Sequence, residues 1–81
     1  MPDTDLTALI EQAESGDWGA AGRLIQAVEH KYGRLAFRVD MFRRSDEQWA
    51  VRLLYLWGVW KVAPTLSAAI ARAARAALEG V

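Results

Sequence analysis

The chain has 81 residues, 53% of them apolar and 25% charged, which is room for one small domain with its own core and is not the balance of a disordered segment. Ten basic residues cancel ten acidic ones, so the composition encodes neither an overall basic nucleic-acid coat nor an acidic tail. There is no cysteine, which excludes disulfides and thiolate metal cages.

The zero net charge is the sum of two unlike halves. Residues 1–33 hold six acids (Asp3, Asp5, Glu11, Glu14, Asp17, Glu29) against Arg23 and Lys31, a net of −4. Residues 34–81 hold eight bases (Arg34, Arg38, Arg43, Arg44, Arg52, Lys61, Arg72, Arg75) against Asp40, Asp46, Glu47 and Glu79, a net of +4. Small domains often divide their charge in this way; the division also suits an acidic helical face and a basic sheet face that meet different partners.

No basic stretch followed by an apolar run opens the chain, so no signal peptide is expected. The most apolar stretch, 49–63, is interrupted by Arg52 and Lys61 and is shorter than the roughly 20 residues a spanning helix needs. A soluble cytoplasmic protein is the expectation.

In chain order, Asp3 or Thr4 is placed to cap a first helix whose Leu6, Leu9, Ile10 and Ala13 recur at helical spacing, with Thr7, Glu11 and Glu14 as its wet stripe. Gly16 stops it and Asp17 caps a second helix, in which Trp18, Ala21, Leu24, Ile25, Val28 and Tyr32 form one apolar face and Gly33 the end. The short connection predicts a helical hairpin.

At Gly33 the period changes from 3.6 to 2. Leu35, Phe37, Val39 and Met41 alternate with Ala36, Arg38, Asp40 and Phe42, which predicts a half-buried strand. A polar loop over 43–48 leads to a second strand in which Trp49, Val51, Leu53 and Tyr55 alternate with Ala50, Arg52, Leu54 and Leu56. After a turn at Trp57-Gly58, residues 59–63 form a third strand ending before Pro64.

Pairing Met41 with Trp49, Val39 with Val51 and Phe37 with Leu53, then Tyr55 with Trp60 and Leu53 with Val62, makes one face of this meander uniformly apolar. Arg38, Arg52 and Lys61 then share the other face with Asp40, and Arg38 lies opposite Arg52. Trp49 and Trp60 point into the core and Trp57 outward. A helix over 47–60 competes, because Trp49, Leu53, Leu56 and Trp60 also fit a helical face, but it exposes Val51, Tyr55 and Val59. Thr65 caps a last helix with Leu66, Ala69, Ile70, Ala73 and Ala77 inward, Ser67, Arg72, Arg75 and Glu79 in water, and Gly80 at its end. The expected single domain over 1–81 is therefore α+β, a three-stranded antiparallel meander with three helices in the order ααβββα.

Catalytic and cofactor signatures are missing. His30 sits near a helix C-terminus, where its charge suits the dipole. No serine or threonine lies in a nucleophile elbow, and no phosphate loop, zinc-protease or calcium-loop spacing occurs. Gly19-Ala20-Ala21-Gly22 matches the GXXG of KH domains, but its middle positions are not basic, no strand precedes it, and Asp17 beside it repels phosphate. The alternative is that these glycines let the second helix lie close to its neighbour. No enzyme, metal or cofactor is expected.

Two segments carry a resemblance. Asp17-Trp18, Ala20-Ala21, Leu24-Ile25 and Ala27-Val28-Glu29 resemble the second helix of small phage and prophage proteins from GC-rich bacteria. Gly58-Val59-Trp60-Lys61-Val62-Ala63-Pro64-Thr65-Leu66-Ser67-Ala68-Ala69-Ile70-Ala71-Arg72-Ala73 resembles their closing strand and C-terminal helix. Within this group the chain is most similar to anti-CRISPR proteins directed at type I-C systems. The resemblance implies a phage-encoded inhibitor in the cytoplasm of the infected bacterium, which binds the RNA-guided surveillance complex Cascade and keeps target DNA off it.

An inhibitor that competes with DNA needs carboxylates on a rigid surface to engage side chains meant for phosphates. Asp3, Asp5, Glu11, Glu14 and Asp17 supply such a face. The neutral total charge leaves contact through the arginines or an exposed sheet edge open as well. Two other functions stay open: a nucleic-acid-binding accessory protein using Arg38, Arg43, Arg44, Arg52 and Lys61, and a structural or assembly protein of a phage particle. A monomer or weak homodimer is expected.

Overall fold

The structure of the protein, a computed structural model, describes residues 3–54 and 58–79; the side chains of residues 3–5 and 79 lie outside that description. Helix α1 spans Asp3–Glu14 and α2 Trp18–Tyr32; strands β1 (Phe37–Arg43), β2 (Trp49–Leu54) and β3 (Lys61–Ala63) follow, and α3 spans Leu66–Glu79. The strands form one antiparallel sheet in the order β1-β2-β3. The fold is α+β, in the order ααβββα. Residues 49–54 are a strand, which removes the competing helix over them.

The hairpin forms as its residues dictate. Ile10 and Ala13 are buried, and Gly16 adopts φ +109° as the chain leaves α1. Asp17 caps α2, its Oδ1 accepting the Ala20 N–H at 3.1 Å. Capping of α1 by Asp3 or Thr4 rests on side chains outside the described residues. On α2, Ala20, Ala21, Leu24 and Val28 are buried, whereas Trp18, expected on the apolar face, is 62% exposed. Gly19 and Gly22 face solvent, and a Cβ at Gly22 would meet no neighbour within 4 Å. The close approach of α2 is therefore made by its alanines. The glycines sit inside a helix rather than in a loop between helices, so they form no KH-type clamp.

Leu35, expected to point inward from the first strand, lies in a turn and is exposed, because the chain spends residues 34–36 reversing out of α2. The sheet register differs from the expected one at both junctions. Between β1 and β2 the partners are Asp40 with Arg52, Met41 with Val51, Phe42 with Ala50 and Arg43 with Trp49. This is a slip of two residues, so Asp40, Met41, Phe42 and Arg43 keep their faces. Its cause is a tighter loop over 44–48, closed by Arg44 N–H donating to the Gln48 carbonyl at 2.7 Å, with Glu47 at φ +66°. An irregularity between Phe37 and Asp40 then brings Phe37 opposite Leu54.

Between β2 and β3 the partners are Trp49 with Ala63, Ala50 with Val62 and Val51 with Lys61. This slip is three residues, and an odd slip exchanges the faces. Lys61 therefore shares a face with Val51, not with Arg52, and Trp60, expected in the core, is 39% exposed. The return is tight: a Cβ on Gly58 would overlap the Leu54 carbonyl oxygen and lie 2.7 Å from Arg52 Cγ. Tyr55, Leu56 and Trp57, with the expected turn and the outward Trp57, lie outside the described residues.

Helix α3 begins with Thr65 Oγ1 accepting the Ala68 N–H at 3.3 Å. It packs against α1, α2, β2 and β3. Ser67, expected in water, is buried, as are Ala68, Ala69, Ile70, Ala71, Ala73, Ala74 and Ala77. A helix apolar around most of its circumference belongs in the interior, and small side chains let four neighbours approach it at once. Its C-terminal carbonyls are served from α2: Lys31 Nζ donates to the Leu78 carbonyl at 3.0 Å, and the Tyr32 hydroxyl donates to that of Ala77. The expected stop at Gly80 and the exposure of Glu79 lie outside the described residues. Among the described residues no helix is long and apolar enough to cross a membrane.

Candidate functional site

Two surfaces carry the candidate residues. On the hairpin, burial of Ile10, Ala13, Leu24 and Val28 fixes which side of α1 and α2 meets solvent. Glu11 is exposed there and has no ionic partner among the described residues. Glu14, one turn on, is half-buried and faces Arg72 of α3 at 3.4 Å. Arg72 also donates from Nη1 to the Val62 carbonyl at 2.7 Å, so this contact ties α1, α3 and β3 together. The Asp17 carboxylate is exposed but partly committed, with one oxygen on the α2 N-terminus. The backbone puts Asp3 and Asp5 in the first turn of α1; their side chains lie outside the described residues. Trp18, next to Asp17, adds an exposed aromatic ring to this end of the hairpin.

On the sheet, Asp40 is the hub of the charged residues. Arg52 Nη2 donates to Asp40 Oδ2 at 2.8 Å and Nε to the same oxygen at 3.2 Å, while Arg38 Nε reaches Oδ1 at 3.0 Å. The Arg52 hydrogen bonds, opposed by desolvation and aided by the charges of Arg38 and Arg52, hold the Asp40 carboxyl below its ordinary value of 3.8. Arg38 and Arg52 thus do not oppose each other across the strands, as the expected register required; Asp40 takes the position opposite Arg52 and relieves both.

The expected basic stripe is dispersed. Arg44 pairs with Asp46 of its own loop at 3.2 Å. Arg43, opposite Trp49, and Lys61, opposite Val51, fall on the face turned away from Arg52. What the outer face presents instead is aromatic. Phe42, Ala50 and Val62 line up across the three strands, with Ala50 buried, Val62 half-buried and Phe42 exposed. Beside them the Arg52 guanidinium lies 4.9 Å from the centroid of the Trp60 ring, and the Phe42 and Trp60 rings meet edge-to-face at 5.1 Å with an interplanar angle of 66°. Phe42 is 51% exposed. The alternation of the first strand already turns Phe42 outward; Trp60 joins it only once the β2–β3 register is known.

His30 is exposed in the last turn of α2. Among the described residues, no group of three or more histidine, aspartate or glutamate side chains is placed to hold a metal ion. No protein-family model, no curated protein and no solved structure matches the chain.

Proposed function

We propose that this protein is a non-enzymatic, phage-encoded inhibitor of the anti-CRISPR kind, which binds the type I-C Cascade complex by protein–protein contact in the infected bacterium and keeps target DNA from it. The contact surface is the outer face of the helical hairpin. The observation that supports this most directly is that Glu11, Asp17 and Trp18 stay in solvent on two helices whose opposite faces are locked into the core. Carboxylates held on such a platform pair with lysines and arginines that otherwise take phosphates, through charge-assisted hydrogen bonds. An exposed tryptophan beside them supplies the kind of aromatic anchor that dominates protein interfaces.

The inhibitor acts as a monomer. Strand β1 is a sheet edge, but it carries Arg38 and Arg43 and is irregular between Phe37 and Asp40, devices that discourage edge-to-edge pairing. The sheet arginines do not lead this contact, because Arg38 and Arg52 lie together on the sheet rather than on the hairpin, and Arg44 is paired with Asp46 of its own loop.

The test is capture of purified Cascade on the immobilised protein, with duplex target DNA as competitor. Cascade is retained and DNA displaces it. The variant Glu11→Lys, which leaves the Glu14–Arg72 contact intact, weakens capture by at least about tenfold, as expected when a charge pair in an interface is reversed. Failure to retain Cascade, or capture unchanged by the reversal, overturns the proposal.

A further inference from the structure

Outside the hairpin, the most distinctive surface is the outer face of the sheet, where Phe42 and Trp60 are exposed side by side and Arg52 stacks on Trp60. We propose that this face is a binding site for single-stranded nucleic acid, with Phe42 and Trp60 stacking unpaired bases and Arg38 and Arg52 holding the phosphates between them.

Three observations carry it. First, the rings stay in solvent while Val51, Leu53 and Ala63 carry the opposite side of the strands into the core, and a sheet face that displays aromatic rings is a platform on which any base stacks. Second, the charge is complementary to a phosphodiester. Two guanidinium groups, those of Arg38 and Arg52, share the one carboxylate of Asp40. The exposure is also unequal: the Arg38 side chain is 54% exposed and that of Asp40 18%, so an approaching ligand meets the cation first. Third, the arginines are positioned before any ligand arrives, because Asp40 holds Arg38 and Arg52 in place and the Trp60 ring supports the guanidinium of Arg52. Less side-chain freedom is then lost on binding.

The same features select single strands over duplex. Bases in a duplex are already stacked on one another and offer no free ring face. The site lies on β1, β2 and the residues before β3, so it does not depend on the Cascade contact proposed for α1 and α2.

The experiment is fluorescence anisotropy of a labelled oligothymidylate of about 12 nucleotides, a length within the range such platforms cover, titrated with the full chain at about 50 mM salt. Binding is expected to appear, to weaken as salt rises, and to be stronger than to the same length of duplex. Trp60→Ala and Phe42→Ala, each checked for intact secondary structure by circular dichroism, lower the affinity by at least about fivefold. Asp40→Asn raises it, because it takes a negative charge from the cluster; a merely structural role for Asp40 predicts no gain. Both aromatic variants still capture Cascade, which separates failure of this site from failure of the hairpin contact. An absence of binding at low salt, equal affinity for duplex, or aromatic variants that bind like the parent would overturn the proposal. Loss of Cascade capture in Trp60→Ala would do the same, by assigning the face to a protein partner.

Discussion

Among the single residues, two aspartates do more than one job. Asp17 caps α2 and also belongs to the proposed partner surface. Asp17→Ala loses the cap and lowers unfolding free energy by about 1 kcal/mol in urea titration, whereas Asp17→Asn, itself a good cap, keeps most of that stability. If Asp17 also contributes charge to the Cascade contact, Asp17→Asn weakens capture at nearly unchanged stability. Asp40 is the acid whose titration follows from its partners. Its folded carboxyl is held below the ordinary 3.8, first by hydrogen bonding to Arg52, so its contribution to stability is present above that value. That contribution is lost as pH falls through the lower folded value. Denaturation between about pH 2 and 6 should therefore show a shallower acid loss in Asp40→Asn than in the parent chain, and identical slopes would place the acid sensitivity elsewhere.

Where one element meets the next, Gly58 sets how β3 returns on β2. No methyl group fits between it and the Leu54 carbonyl, and backbone cannot move aside as a flexible side chain does. Gly58→Ala should cost about 2–3 kcal/mol in unfolding free energy, the upper part of the range for overpacking, as read from urea titration. This return also explains where the chain was readable and where it was not. The hairpin and the order of the strands follow from apolar spacing and from Gly16, Asp17 and Gly33, which act on their immediate neighbours. Register depends on loop geometry. The even slip between β1 and β2 left the faces of Met41 and Val51 as expected, but the odd slip at β3 exchanged those of Trp60 and Lys61. The exposure of Glu11 was legible because it projects from a helix of predictable phase, whereas Glu14, expected on the same wet stripe, is half-buried against Arg72. The aromatic sheet face was not, because Trp60 reaches Phe42 only through a register that no local pattern encodes. Trp18 fails differently. Two turns before Ile25, it shares that residue's helical phase, yet Ile25 packs against the core while Trp18, in the first turn of α2, stays in solvent.

Across the molecule as a whole, the two halves of opposite charge meet in the ion pair of Glu14 with Arg72, and Lys31 donates to the Leu78 carbonyl at the end of α3. Exposed pairs of this kind contribute less than about 1 kcal/mol each, so cohesion comes from the shared core and not from attraction between an acidic and a basic half. That core is centred on α3, which touches both helices of the hairpin and two strands of the sheet. It is also the last of the six described elements in chain order. During synthesis the hairpin and the meander therefore emerge from the ribosome with their apolar faces still lacking a common partner, and cooperative folding waits for the alanine-rich helix to clear the exit tunnel.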